Sequence, residues 1–185
     1  MRVVGGSLRG RNLIPFKEDK IRPTSDKVKE ALFNIIAPYL TEGMLVADFF
    51  AGTGNLGIEA ISRGAGKAVF VELDRACLAV LQENLERCKI KGRAELVLSD
   101  VKKAIARLEA KAYLFDLIFL DPPYGKGLAD ETMEILGEST IASKALVVVE
   151  HSASDHMKES YGRLEIKDMR KYKNTSLSFF KGEID

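Results

Sequence analysis

Apolar positions along this chain recur with two periods that take turns. From Thr24 to Pro38 the period is helical. Val28, Ala31, Leu32, Ile35 and Ile36 fall at i, i+3, i+4, i+7 and i+8, one face of an amphipathic helix. Thr24 is placed to cap its first turn, Asp26 suits its positive end, and Pro38 marks its stop. Short apolar runs then alternate with helical segments. MLVADFF (44–50), KAVFVEL (67–73), AELVLSD (94–100), FDLIFLD (115–121) and ALVVVEH (145–151) read as strands. Between them GNLGIEAISRG (54–64), RACLAVLQENLERCKI (75–90), VKKAIARLEAK (101–111) and LADETMEILGES (128–139) read as helices. A short helix is expected around Asp155–Ser160. RLEIKDMRKY (163–172) and TSLSFFKG (175–182) form a closing antiparallel pair. Before all of this, Arg2–Val4 and Asn12–Phe16 are short β-like pieces.

Strands that are apolar throughout, separated by helices, specify a parallel sheet covered on both faces. The fold expected is a Rossmann-like, doubly wound α/β domain ending in an antiparallel pair. Residues 1–185 form a single domain, with 1–23 as a basic arm appended to it.

Length and composition agree with one soluble domain: 185 residues, 46% hydrophobic and 30% charged. The N-terminus MRVVGGSLRGRN is basic without an apolar run, so neither a signal peptide nor a membrane anchor is expected there. A cytoplasmic protein, without membrane contact and monomeric, is the expectation. Cys77 and Cys88 lie in one helical segment and cannot bridge each other within it. With His151 and His156 they make no zinc spacing, so no metal is expected. Charge is distributed unevenly. Residues 1–29 hold eight basic side chains against three acids, on a chain whose total is +1. Lys167, Arg170, Lys171 and Lys173 make a second cluster. A basic flank on a neutral domain fits a polyanionic partner.

In doubly wound sheets, ligands bind beyond the carboxyl ends of the strands at the switch in strand order. The first strand runs into DFFAGTGNLG, in which Gly52, Gly54 and Gly57 make G-x-G-x-x-G. That pattern serves NAD, FAD and S-adenosylmethionine alike. Asp48, just before the loop, would repel a pyrophosphate and attract a cationic amino acid moiety. No Lys-Ser or Lys-Thr follows, which excludes a Walker loop. Glu72 closes the second strand, placed to accept from ribose hydroxyls. Asp100 closes the third, placed to accept from an adenine amino group.

The fourth strand ends in Asp121-Pro122-Pro123-Tyr124. Two prolines cannot continue a β-ladder; they hold a carboxylate, a carbonyl and a ring in fixed relation. This suits methyl transfer to an amine on a planar ring, whose lone pair is delocalised. The Asp121 carboxylate and the Pro122 carbonyl each accept one N–H, and Tyr124 stacks on the ring.

These stretches resemble the bacterial methyltransferases that modify the N2 amine of a guanine in 16S ribosomal RNA. RVVGGSLRGRNL, RPTSDKVKEALFNI, DFFAGTGNLGIEAISRGA, FVELDR and LDPPY carry the resemblance, which spans nearly the whole chain. It implies S-adenosylmethionine held by Asp48, Ala51, Gly52, Thr53, Gly54, Gly57, Glu72, Leu73, Asp100 and Val101. It implies a target amine held by Asp121, Pro122, Pro123 and Tyr124. Arg9, Arg11 and Arg22 would meet RNA, either 16S ribosomal RNA or a small-subunit assembly particle. Two rivals stand beside this reading. A DNA adenine-N6 or cytosine-N4 methyltransferase would use the same tetrapeptide, but the chain has no room for a target-recognition region. A NAD-dependent oxidoreductase or a non-catalytic nucleotide-binding module would leave DPPY unexplained.

Overall fold

A computed structural model describes residues 1–16 and 26–182. An eight-stranded sheet forms its centre. In chain order the strands are β1 (Leu45–Phe49), β2 (Lys67–Glu72), β3 (Ala94–Leu98), β4 (Leu117–Leu120), β5 (Leu146–Ser152), β6 (Ser160–Tyr161), β7 (Leu164–Tyr172) and β8 (Thr175–Gly182). Across the sheet they lie in the order β3-β2-β1-β4-β5-β8-β7-β6. The first five are mutually parallel. β8 pairs antiparallel with both β5 and β7, and β6 pairs antiparallel with β7. The expected Rossmann-like architecture with a closing antiparallel pair is therefore present. β1 pairs with β2 on one side and β4 on the other, so the order reverses at β1.

Among the described residues five α-helices cover the sheet: α1 (Asp26–Ile35), α2 (Asn55–Ser62), α3 (Arg75–Arg87), α4 (Val101–Ala110) and α5 (Leu128–Glu138). Alternation along the strands divides the core in two. Val46, Phe70, Phe119, Val148 and Phe179 face Leu32, Leu56 and Leu81 of α1, α2 and α3. Phe49, Val71, Ile118, Val149 and Phe180 face Ile105 and Leu136 of α4 and α5. The period of two then dictates the strand ends. Asp48, Glu72, Asp121 and Glu150 fall on the α1–α3 face.

Three elements differ from the sequence reading. Around Asp155–Ser160 the chain is irregular rather than helical, following a turn at 153–154. Met157 packs against the α4–α5 core and the Lys158 N–H donates to the Tyr161 hydroxyl, so tertiary contacts decide the conformation. β3 is only half-buried, because it is an edge strand. In α1 the buried stripe is Lys29, Leu32 and Phe33, continued by Ile36 just after the helix, with Val28 and Ile35 at its margins. A lysine thus occupies the centre of the apolar face. Pro38 lies in a 3-10 turn after the helix, as its fixed φ allows, and Thr24 lies outside the described residues.

Residues 1–16 pack on the domain. Val3 and Leu13 are buried in the core, and Arg2 and Asn12 form an isolated antiparallel bridge. Glu59 of α2, fully buried, accepts the Val4 and Gly5 N–H groups at 2.8 and 2.7 Å. It also pairs with Arg63 at 2.9 Å and Lys29 at 3.4 Å. Lys29 donates further to the Arg2 carbonyl and to Asn55 Oδ1, each at 2.6 Å, which uses all three ammonium protons. Asn84 of α3 exchanges hydrogen bonds with the Ile14 backbone.

Candidate active site

The turn after β1 is tight because three of its residues have positive φ: Phe50 (64°), Gly52 (54°) and Gly54 (83°). Gly54 N–H closes the turn onto the Ala51 carbonyl, and α2 begins at the next residue. Gly57 answers to packing instead. A Cβ there would lie 2.3 Å from the Phe70 ring and 3.0 Å from Asp48 Oδ2. At Gly52 a Cβ would meet no heavy atom within 4 Å, so this glycine leaves the outer face of the turn open to a ligand.

Two acids hold the turn. Asp48 is buried, and its carboxylate accepts the Gly57 N–H at 2.8 Å. Burial lifts its pKa to about 7; the Gly57 hydrogen bond opposes this and the Glu72 charge adds to it. Glu72 accepts the Gly52 N–H at 2.7 Å through one oxygen and the Leu73 and Asp74 N–H groups at 2.8 Å through the other. Leu73, 68% exposed, stands beside it as an apolar surface. Asp100 caps α4 by accepting the Lys103 N–H at 3.0 Å, which holds its carboxyl below the usual range. Val101 behind it is buried. Ala51 is buried too, and the Thr53 carbonyl accepts from Asn84. The residues singled out for a cofactor thus lie at the carboxyl ends of β1, β2 and β3, but Asp48, Glu72 and Asp100 each also bind backbone N–H groups.

At the end of β4, Asp121 is half-buried, Pro122 buried and Pro123 exposed. Tyr124 is 40% exposed. Its hydroxyl donates to Glu150 Oε1 at 3.3 Å and lies 3.1 Å from Thr175 Oγ1. Burial, with the nearby charges of Glu150 and Asp121, raises its ionisation well above the ordinary range. A cleft of about 300 Å³ opens beside this tetrapeptide. Pro122, Pro123 and Tyr124 line it together with Asp130, His156 and Met157, among others. His151 also lines it but is buried and satisfied. Its Nδ1–H donates to the Ser152 carbonyl at 3.0 Å, so Nε2 accepts from the Ser178 hydroxyl at 2.8 Å. Burial lowers its pKa, keeping it neutral.

Arg9 and Arg11 are exposed, with Arg11 donating to the Arg87 carbonyl at 3.4 Å. Arg22 lies outside the described residues. Lys29, counted among the basic residues of this region, is not on the surface at all. In the second basic cluster, Lys167 and Arg170 pair with Glu165 and Asp168 on the same strand. Cys77 and Cys88 are both buried. Among the described residues no group of three or more His, Cys, Asp or Glu could hold a metal, and no helix is long and apolar enough to cross a membrane. Sequence reasoning missed Glu150 and Thr175 at this site. Glu150 could have been found as the acid that follows the apolar run Leu146–Val149, as Glu72 follows Ala68–Val71.

The strand order, the glycine turn at the reversal and the acids at the carboxyl ends of β1 and β2 define the fold of the Rossmann-like class I S-adenosylmethionine-dependent methyltransferases. More narrowly, the chain belongs to the family described as Conserved hypothetical protein 95, whose model matches residues 1–181. It is 40% identical over 151 residues to Ribosomal RNA small subunit methyltransferase D of Escherichia coli K12, covering 81% of this chain and 74% of that one. The protein of the same name from Haemophilus influenzae is 36% identical over 151 residues, covering 81% and 78%. The solved structure of yhhF from Escherichia coli superposes with a TM-score of 0.86 at 33% identity, covering 100% of this chain and 99% of that one.

Proposed function

We propose that this chain transfers a methyl group from S-adenosylmethionine to the exocyclic N2 amine of a guanine in 16S ribosomal RNA. The observation that carries this reading is the position of Asp121-Pro122-Pro123-Tyr124. It leaves the sheet at β4, the strand next to β1 at the switch in strand order, with Asp48 and Glu72 on the same face and a cleft alongside. The names of the relatives, ribosomal RNA small subunit methyltransferases, support the substrate class.

The residues present fit the cofactor. The open face of Gly52 accepts a ligand against the backbone. Glu72 holds ribose hydroxyls beside the exposed side chain of Leu73, which covers an adenine face. Asp48 draws the cationic amino acid moiety, and Asp100 accepts from the adenine amino group. Bound there, S-adenosylmethionine supplies an electrophilic methyl group on a sulfonium.

The protein's own contribution is orientation. The Asp121 carboxylate and the Pro122 carbonyl accept the two N–H groups of the amine, which favours a pyramidal nitrogen with its lone pair aimed outward. The prolines keep both acceptors rigid before the substrate arrives, so little reorganisation remains at the transition state. Tyr124 stacks on the base. As the N–C bond forms, the methyl–sulfur bond would break and S-adenosylhomocysteine would leave as a neutral thioether, and the nitrogen, made cationic, would pass its proton to Asp121 or solvent. Extruding a guanine costs a few kcal/mol in a duplex and less in a loop. A domain of this size has little surface for reading sequence, so RNA shape within a partly assembled subunit provides the selectivity. The protein acts as a cytoplasmic monomer.

The deciding experiment measures labelled methyl transfer to 16S RNA, to small-subunit assembly particles and to duplex DNA, followed by mass mapping of the modified nucleoside. N2-methylguanosine in RNA is the expected product. N6-methyladenosine or N4-methylcytosine in DNA would replace this reading with the DNA one. Calorimetric binding of NAD in preference to S-adenosylmethionine would replace both.

A further inference from the structure

Tyr124 is tethered at one end and open along its face. Its hydroxyl reaches two residues from elements far along the chain: Glu150 of β5, 5% exposed, and Thr175, the first residue of β8. The donor count orders the three groups. A carboxylate only accepts, so the tyrosine proton goes to Glu150 and its oxygen accepts from the Thr175 hydroxyl. The tether also follows from register. Glu150 pairs with Leu177 across the β5–β8 ladder, and Thr175 lies two residues earlier on β8. The two are diagonal neighbours on one sheet face, the spacing at which side chains from adjacent antiparallel strands share a contact. On the backbone side, Pro122 and Pro123 restrict the approach of Tyr124. Held at its hydroxyl, Tyr124 is still 40% exposed, beside the cleft.

We infer that Glu150 and Thr175 are positioning residues that set the plane of the Tyr124 ring for stacking on the target base. The antiparallel strand β8 thereby becomes part of the active site. This inference rests on the proposed methyl transfer to a base amine. A free ring could stack in many orientations, and the reacting nitrogen would then be out of line with the methyl group for much of the time.

The test combines Thr175→Val, Glu150→Ala, Glu150→Gln and Tyr124→Phe. Single-turnover methyl transfer to small-subunit particles should fall roughly 5- to 30-fold in Thr175→Val, Glu150→Ala and Tyr124→Phe. The affinity for S-adenosylmethionine by calorimetry should stay within about threefold. Glu150→Gln, which keeps an acceptor oxygen, should lose less than Glu150→Ala. Because Thr175 acts through the tyrosine hydroxyl, Tyr124→Phe/Thr175→Val should be no slower than Tyr124→Phe alone. NMR of labelled tyrosine, which needs no activity, should show faster Tyr124 ring motion in Thr175→Val. Additive losses, or a cofactor affinity that falls in step with turnover, would overturn the inference. Should the wild-type chain transfer no methyl to RNA, the functional reading fails separately, while unchanged ring motion in Thr175→Val removes the tether itself. If Glu150→Ala does not fold, the Thr175 and Tyr124 variants decide.

Discussion

Asp48 Oδ2 accepts the Gly57 N–H at 2.8 Å from a fully buried position, so one carboxylate joins the end of β1 to the first turn of α2. The same acid titrates near neutrality. Burial is the main cause of a pKa raised from 3.8 to about 7. The folded chain therefore keeps this proton where the unfolded chain has already released it. Between those two values the Asp48 contribution to stability falls as pH rises, and above about 7 it changes no further. Asp48→Asn keeps an acceptor for Gly57 and removes the titration. Its melting temperature should thus depend less on pH than that of wild type between pH 4 and 7. A cationic ligand beside Asp48 favours the ionised form, so S-adenosylmethionine should bind more tightly at pH 8 than at pH 6 and release protons at pH 6. Calorimetry in two buffers of different ionisation enthalpy checks this; equal affinity at both pH values would place the cationic moiety elsewhere.

The role proposed for Asp121 is orientation, not cofactor binding. Asp121→Ala should lower turnover by roughly 10²–10³-fold, the effect of losing one preorganised polar group at a reacting centre. Cofactor affinity should remain within a few-fold. Asp121→Asn retains one acceptor oxygen and should lie between wild type and alanine. Single-turnover kinetics alongside calorimetry separate the two effects, and loss of cofactor binding in Asp121→Ala would refute the role.

Much of this site was legible because the sequence wrote it locally. The apolar runs ending at Asp48, Glu72 and Asp121, and the glycines between the first strand and its helix, are contiguous in the chain. Gly57 was legible as motif, though its reason, contact with Phe70, depends on β2. What local pattern did not carry was pairing across long separations. Glu150 meets Tyr124 because β5 lies beside β4, and Thr175 because β8 lies beside β5. A short helix is expected over residues 155–160, but the packing of Met157 on the α4–α5 core and the hydrogen bond from the Lys158 N–H to Tyr161 hold them otherwise. The basic N-terminal region was read by counting charge, which cannot tell exposed Arg9 from buried Lys29. A signal for Lys29 did exist: it lies three, four and seven residues before Leu32, Phe33 and Ile36, on the apolar face itself.

Glu59 concentrates the attachment of residues 1–16. It accepts two backbone N–H groups and faces two cations, while burial pushes the Lys29 pKa down, only partly offset by the Glu59 charge. Removing the carboxylate strands Lys29 in the interior. Glu59→Ala should destabilise the fold by about 3–5 kcal/mol, as expected when one partner of a buried ion pair is deleted. Hydrogen exchange at Val4 and Gly5 should accelerate before global unfolding. A denaturation midpoint close to wild type would mean that solvent reaches Lys29.

Arg9 and Arg11 project from the docked segment, and their exposure suits contact with phosphates. Phosphate contacts release counterions, so each one steepens the dependence of affinity on salt by roughly 0.7–0.9 logarithmic units. Reversing both charges, Arg9→Glu with Arg11→Glu, should weaken binding to 16S RNA and make the salt slope shallower by roughly one to two units. Lys167→Glu with Arg170→Glu provides the comparison. Those residues already pair with Glu165 and Asp168 on β7, so their reversal should change the slope less. Filter-binding titrations at several salt concentrations measure both pairs. A larger change on β7 than on the N-terminal segment would move the RNA-binding face to the far edge of the sheet.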